Sequence, residues 1–373
     1  MSEPIRILIA GCANPHVPLY LRSGARKISS MHTVAVSDFD PVRLEKARTD
    51  AASSGRTDIE FYADYQEMFR RHPDADAVMI GSDNIEHFRM FKDAVKAGFH
   101  IYMMKVISMD EEECREMIAI GKTYPKVIQC ELELHFHPGF YHAKKMIESG
   151  RLGELKAVYL TNVSQSPCNY FPNWGDPLLS YGKRIPIMPG SRTFRGGAIT
   201  DHPHPFDMIR YLTGREFRTV RAVSAENQRE HLLVEDHAAI TGTLDNGVPY
   251  FINPSYSNME EKVPTRRLLW PKSLECNLKL IGTKGCFMTD YFIEPTFIVG
   301  NGYVSPDRLI VEGAPQFQSE QDHSLIGSFA DCIQGRRHRP ETTLEDDFAA
   351  IRVMNAAYES IYSGKEVELE DLH

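Results

Sequence analysis

Five short apolar runs, separated by amphipathic segments of helical length, constrain this chain more than any other feature. The runs are Ile5–Ala10 (IRILIA), 32–37 (HTVAVS), 75–81 (ADAVMIG), 100–104 (HIYMM) and 126–130 (KVIQC). Each is short, and each is too uniformly apolar for a strand with one wet face, so each reads as a strand covered on both sides. The spacers 41–53, 65–71, 84–97 and 110–124 carry helical periodicity. Buried strands joined by helices of this length imply right-handed crossovers and a parallel sheet.

In such a sheet the turn after the first strand is the ligand end, where unpaired N–H groups and the helix dipole meet phosphate. That turn is Gly11-Cys12-Ala13-Asn14-Pro15-His16. Against G-x-G-x-x-G it keeps the first glycine, replaces the second with Ala13 and the third with His16. Gly11, Ala13, Asn14 and His16 are therefore candidate cofactor contacts. Asp38 ends the second strand, 27 positions beyond Gly11. A carboxylate there accepts hydrogen bonds from ribose hydroxyls and repels a 2′-phosphate. Phe39 follows it and Arg43 lies a turn further on, so no arginine is expected beside it. The cofactor expected is NAD rather than NADP. The plain alternative for Asp38 is a loop or capping carboxylate.

Beyond residue 133 the pattern changes. A helix is expected over 138–149 and an alternating strand over Leu155–Ser164. Residues 165–195 have no period and are rich in proline, glycine and aromatics, among them Tyr170, Phe171, Trp174 and Tyr181. A loop of that length in a compact domain is usually functional or disordered, and the aromatics suggest a wall or lid over a substrate or a contact with another subunit. Further strands follow at 220–225, 238–244, 248–257, 278–281 and 287–290, with hairpin turns at Asp245-Asn246-Gly247 and 282–285. Two helices, 321–335 and 344–362, end the chain. The fold expected is α/β, with two domains. Residues 1–133 form a Rossmann-type doubly wound parallel sheet. Residues 134–373 form an α+β domain with a largely antiparallel open sheet, its C-terminal helix packing back on the first.

One stretch of the second part concentrates polar chemistry: GGAITDHPHPFDMIRYLTG, 196–214. It reads as one helix with Asp201 as N-cap, Pro203 and Pro205 in the first turn, and Gly214 as the stop. Three-residue spacing then puts Asp201, His204 and Asp207 on one face. A histidine beside carboxylates can serve as a general base near neutral pH. Simple capping is the other reading.

Composition narrows the partners. A net charge of −9 without a long basic run argues against nucleic acid or an anionic membrane. Seven scattered cysteines form neither a disulfide framework nor a metal spacing. MSEPIRILIAG is too short for a signal peptide, and no later run could span a bilayer. A reduced, cytoplasmic protein is expected. His135, His137, His202 and His204 show no local ligand spacing, so no metal is expected.

Several stretches resemble the Gfo/Idh/MocA oxidoreductases, the relatives of glucose–fructose oxidoreductase and inositol dehydrogenase, over nearly the full length. DAVMIGSDNIEH (76–87) is similar to D-A-V-x-I-x-T-P-N-x-x-H, with Ser82 and Asp83 replacing threonine and proline. HIYMMKVIS (100–108) falls on H-V-L-x-E-K-P-L-A, keeping Lys105. HFHPGFYHAKKMIESGRLGEL (135–155) matches R-F-x-P and a helix ending in G-x-L-G-E-I, with His135 for the arginine. EDHAAITGTLDNG, GTKG and FAAIRVMNAAYESIYSGKEVEL also read as family segments.

The resemblance implies roles. Ser82, Asn84, His87 and Lys105 line the cofactor, and Lys105 also polarises the hydroxyl being oxidised. His204-Pro205-Phe206-Asp207 fits the family's H-x-x-D, making His204 the base. Asp201 precedes it by three residues instead of four, so it is a catalytic partner or a cap. His135, His137, Trp174 and Asp207 are candidate substrate contacts, the two histidines being equally readable as structural. The implied activity is NAD(H)-dependent oxidation or reduction at a secondary hydroxyl or ketone of a sugar, glycoside, cyclitol or related polyol, in a homodimer or homotetramer. Two alternatives are an NAD-assisted redox-neutral lyase or glycosidase, and a non-catalytic dinucleotide-binding sensor.

Overall fold

The structure is a computed structural model that describes residues 4–14, 16–21, 31–164, 175–225, 227, 232–256, 276–290, 293–299, 307–310 and 325–370. The chain divides into two compact units. One comprises Met1–Glu133 with Phe317–Phe348, the other Leu134–Gln316 with Ala349–His373.

The first unit alternates β1 (Ile5–Ala10), α1 (Val17–Leu21), β2 (Met31–Ser37), α2 (Pro41–Ser53), β3 (Glu60–Tyr62), α3 (Tyr65–Arg71), β4 (Ala77–Ile80), α4 (Asn84–Ala97), β5 (His100–Met103), α5 (Glu111–Gly121) and β6 (Ile128–Cys130). Its sheet has the order β3-β2-β1-β4-β5-β6, every pair parallel. Leu8, Ile9, Ala10, Val78, Ile80 and Ile101 are fully buried, as strands covered on both faces require. The order reverses beside β1, which pairs with both β2 and β4. A ligand crevice of an open α/β sheet lies at that switch point, at the carboxyl ends of the strands. The helices begin where local chemistry dictates. Asp40 accepts from Val42 N and Arg43 N with Pro41 at the first helical position, and Asp64 and Asp110 cap α3 and α5 in the same way. Gly98 ends α4 at φ +81°. Strand β3, absent from the sequence reading, is three partly exposed residues at the sheet edge with no apolar run to announce it.

The second unit begins with α6 (Pro138–Glu148), β7 (Leu155–Ser164), α7 (Pro177–Ser180), α8 (Ala198–Asp201) and α9 (His204–Thr213). It continues through β8 (Thr219–Val223), β9 (Ala239–Thr243), β10 (Pro249–Tyr256), β11 (Leu278–Gly282), β12 (Cys286–Asp290), β13 (Ile293–Val299) and β14 (Asp307–Ile310). After it come α10 (Leu325–Ile333), which belongs to the first unit, α11 (Leu344–Ser363) and β15 (Val367–Glu368). The sheet order is β14-β13-β12-β11-β7-β10-β9-β8-β15. All its pairs are antiparallel except β7 with β10. The sheet buries Val158, Leu160, Tyr250, Ile252, Leu280 and Phe287. Tyr159 and Phe251 point the other way, stacked at 4.5 Å and both exposed. Strands β13 to β15 are additions to the sequence reading. Pro295 inside β13 argues against a strand, and β14 and β15 are short edge strands.

The sequence expectation of one continuous helix here is corrected. Residues 198–213 are not a single helix: α8 ends at Asp201 and α9 starts at His204. Proline disfavours the helical region for the residue before it, and His202, preceding Pro203, sits at φ −116°, ψ 66°. Asp201 is therefore neither on the face of α9 nor its N-cap. His204 and Asp207 do share that face, and Gly214 closes the helix in the left-handed region at φ +63°. Among the described residues no helix is long and apolar enough to cross a membrane.

Candidate functional site

In the first unit the turn after β1 packs directly on the turn after β4. Gly11 sits at φ +90°, and a Cβ there would lie 2.4 Å from the Ser82 Cα. Only glycine tolerates both the dihedral and the approach. Gly11 N donates to Ser37 O at 2.8 Å, and Asn14 N donates to Gly81 O at 2.9 Å. Asn14 Oδ1 accepts from His16 N at 2.9 Å, opening α1, while Ala13 is fully buried. His87 is buried with its ring nitrogens 2.8 Å from Val106 O and 3.1 Å from Ser82 O. Burial lowers its pKa to about 4 against the opposing hydrogen bonds, and the ring spans the turn after β4 and the turn that carries Lys105. Lys105 itself follows the carboxyl end of β5 and is 8% exposed. Asn84 begins α4, partly exposed.

Asp38 is more engaged than its position in the sequence suggests. Its Oδ2 accepts from Cys12 N at 2.7 Å, and its Oδ1 accepts from Asp40 N at 2.8 Å and Arg43 Nε at 3.2 Å. The expectation that no arginine stands beside Asp38 is thus corrected: one turn of α2 folds the Arg43 side chain back onto it. Arg43 Nη1 also donates to both carboxylate oxygens of Asp83, at 3.1 and 2.9 Å. Burial raises the pKa of both Asp38 and Asp83, with Arg43 opposing it. The fit to a dinucleotide can be read from these atoms. A carboxylate offers about four acceptor positions, so Asp38 keeps room for a ribose hydroxyl. The buried Arg43 Nη2 has no hydrogen-bond acceptor among the described residues.

At the same carboxyl end of the sheet, between the turn after β1 and the end of β6, His16 Nδ1 lies 2.7 Å from Oε1 of the fully buried Glu131. With Glu133 the three place ligand-capable atoms within 4.8 Å of one another. No spacing in the sequence announces a group whose members are 115 positions apart.

The second unit holds the other candidates. His135 Nε2 lies 2.9 Å from Asp207 Oδ2, both side chains buried, with the His135 ring 3.8 Å from that of Tyr211. The substrate candidates His135 and Asp207 are thus brought together as an imidazole–carboxylate pair, Asp207 standing on α9 one turn beyond His204 and His135 on the short turn 133–136 that precedes α6. His204 is 8% exposed. His137 is the N-cap residue of α6 and packs its ring 5.2 Å from that of Phe140. His202 is buried with Nε2 3.3 Å from Ser255 O. Trp174, Tyr170 and Phe171 lie outside the described residues.

Sequence reasoning missed Glu235, the group that holds the start of this stretch. It is fully buried and accepts from Gly197 N at 2.9 Å, Ile199 N at 3.0 Å and the Tyr358 hydroxyl at 2.6 Å. Tyr358 Oη in turn accepts from Gly196 N at 3.0 Å and lies 2.9 Å from Thr200 Oγ1. A Cβ on Gly197 would fall 1.9 Å from Glu235 O, which explains the glycine. The signal available in the sequence was EDHA, a charged pair opening an apolar strand. Burial pushes the Glu235 pKa up to about 7 from 4.5, against the opposing hydrogen bonds led by Tyr358. Between those values the folded protein holds a proton that the unfolded chain has released. Stability from this group is complete below about pH 4.5 and falls as pH rises toward 7, by on the order of 3 kcal/mol in all. Melting curves from pH 4.5 to 7.5 should therefore show wild type losing stability relative to Glu235→Gln. Parallel curves for the two proteins refute the assignment.

Comparison with known proteins places these features in a family. Residues 5–132 match the model described as oxidoreductase family, NAD-binding Rossmann fold, and residues 140–288 match the GFO/IDH/MocA C-terminal domain. The chain is 25% identical over 358 residues to the uncharacterized oxidoreductase YrbE of Bacillus subtilis, covering 93% of this chain and 95% of that one. It is 24% identical over 357 residues to an inositol 2-dehydrogenase of Rhizobium meliloti, covering 93% and 97%. Its fold is similar to that of the Lactobacillus casei scyllo-inositol dehydrogenase solved with NAD(H) and scyllo-inositol. There the TM-score is 0.73 at 19% identity, covering 98% of this chain and 99% of that one. The chain belongs to the GFO/IDH/MocA family and is an oxidoreductase with an NAD-binding Rossmann domain.

Proposed function

We propose that this protein is an NAD(H)-dependent oxidoreductase acting on a secondary hydroxyl or ketone of a cyclitol, sugar, glycoside or related polyol. The observation that carries the reading is Lys105 at the carboxyl end of β5, beside the switch-point crevice of an NAD-binding sheet. Relatives named inositol 2-dehydrogenase favour the cyclitol end of that range. When bound, the nicotinamide supplies the hydride acceptor. The chain supplies the proton handling. Lys105 polarises the reacting oxygen and His204 Nε2 takes its proton, so that oxygen becomes a carbonyl as hydride leaves the carbon. The His135–Asp207 pair, with His135 Nε2 donating to Asp207 Oδ2, orients substrate hydroxyls. His137 and Trp174 remain candidates for the same wall. Asp201 keeps an auxiliary role through its nearness in sequence to His204. Gly11, Ala13, Asn14, His16, Asp38, Ser82 and Asn84 form the cofactor crevice, with His87 bracing it. NAD is the preferred cofactor, since Asp38 and Asp83 place two carboxylates against one guanidinium there.

We place a homodimer or homotetramer contact on the open face of the second sheet, where Tyr159, Phe251, Val223 and Met288 are exposed. Light scattering reads that assembly. The six described cysteines are free, which supports a reducing compartment.

The decisive experiment is a panel of cyclitols, sugars and glycosides with NAD and NADP, followed by nicotinamide absorbance together with product analysis. Net NADH formed in step with a keto product is the expected result. An aglycone released without net NADH identifies a redox-neutral lyase or glycosidase instead. Tight dinucleotide binding without turnover on any member identifies a sensor.

A further inference from the structure

The dinucleotide crevice contains a buried cation that the family reading does not use. Arg43 is 4% exposed. Its Nε is 3.2 Å from Asp38 Oδ1 and 3.9 Å from Asp40 Oδ2, and its Nη1 is 2.9 Å from Asp83 Oδ2. A guanidinium is tolerated at this depth only when paired. Here two buried carboxylates hold it and a third stands just beyond hydrogen-bonding range, so the cluster is net negative despite its arginine. Asp83 stands at the turn after β4 and brings its carboxylate to Arg43 from 40 positions away. Two features of Arg43 are then at odds with a purely structural clamp. Its Nη2 is buried with no acceptor among the described residues, and a buried donor left unpaired is costly. It also shares Asp38 with the place where a dinucleotide fold holds the adenosine ribose.

A neutral hydroxyl resolves both. It can donate its proton to the acceptor position left on Asp38 and accept from Arg43 Nη2, because a hydroxyl is donor and acceptor at once. A 2′-phosphate offers acceptors only, and brings a charge of about −2 toward a cluster whose single cation is already spent. An arginine beside the ribose ordinarily accommodates a 2′-phosphate. Held by Asp83, this one does the opposite.

We propose that Arg43, locked by Asp83, is the residue that sets dinucleotide choice in this protein: it reads the ribose 2′-hydroxyl through Nη2 and is withheld from a 2′-phosphate. The inference rests on the dinucleotide-binding reading above and adds the determinant within it.

The test is direct binding, by titration calorimetry, of NAD and NADP to wild type and Asp83→Asn. Asparagine keeps a carbonyl acceptor for Nη1 but removes the charge that cancels the arginine. Wild type should bind NAD at least about tenfold more tightly than NADP, and Asp83→Asn should narrow that ratio about tenfold or more, chiefly through tighter NADP. A second measurement needs no variant. For wild type, adenosine 2′,5′-bisphosphate should gain affinity relative to AMP as salt rises, because screening weakens a repulsion. An available arginine predicts the reverse, and that result overturns the proposal. So does a wild-type preference for NADP, or an NAD preference that Asp83→Asn leaves unchanged, and in either case the oxidoreductase reading stands. Failure of wild type to bind any dinucleotide overturns that reading and this inference with it.

Discussion

His204→Asn is expected to lower kcat by roughly 10²–10⁴-fold on whichever polyol the panel identifies, the usual cost of losing a general base. Asparagine retains a polar group of similar reach but has no nitrogen that titrates near neutral pH. The position is well defined. His204 is the first residue of α9, largely buried, and α9 is fixed by Phe206, Met208 and Ile209, all fully buried. Asparagine there should leave the helix in place. The dissociation constant for NAD should change by no more than about twofold, since the NAD-binding family match spans residues 5–132 and His204 lies outside it. Stopped-flow kinetics with a separate cofactor titration distinguishes a lost base from a lost fold. Turnover near the wild-type rate refutes the assignment and passes the role to His202 or His137. Asp201→Asn should have a much smaller effect, because Asp201 ends α8 and lies off the face of α9.

Lys105→Met should cost at least as much, roughly 10³-fold or more in kcat/KM. Methionine fills a similar volume and removes the ammonium that we propose polarises the reacting oxygen. Lys105 follows β5, whose Ile101, Tyr102 and Met103 are fully buried, and Met104 N donates to Ile80 O at 3.0 Å. The backbone of this turn is therefore held independently of the lysine side chain. A loss shared between kcat and kcat/KM is the expected pattern for a group acting in the transition state. If only KM rises, Lys105 holds substrate and does no chemistry.

Both variants rest on residues legible in the chain itself, and the reason is local. Asp40-Pro41, Asp64 and Asp110 each begin a helix through their own side chains, and Gly98 and Gly214 end helices through their own dihedrals. Helices Pro41–Ser53, Tyr65–Arg71 and Asn84–Ala97 and strand Leu155–Ser164 accordingly begin and end where the sequence reading puts them. The same holds for Lys105, which needs only an apolar strand before it. The reading of Asp201 as N-cap on the face of α9 failed for an equally local reason: Pro203 pushes His202 out of the helical region and divides one apparent helix into two.

By itself, then, the sequence determined the strand–helix alternation, the turn at Gly11, the carboxylate at Asp38, and the positions of Lys105 and His204. Each follows from neighbours within a few residues or from a pattern of fixed period. Tertiary structure alone decided what those groups touch. Glu235 reaches Gly197 and Ile199 from 38 and 36 positions away, Tyr358 reaches Glu235 from 123, and Asp83 reaches Arg43 from 40. His135 meets Asp207 across 72 positions, and His16 meets Glu131 across 115. Such pairs leave no periodic trace, because burial makes a polar group find a partner wherever the fold supplies one, and sequence distance does not enter that requirement.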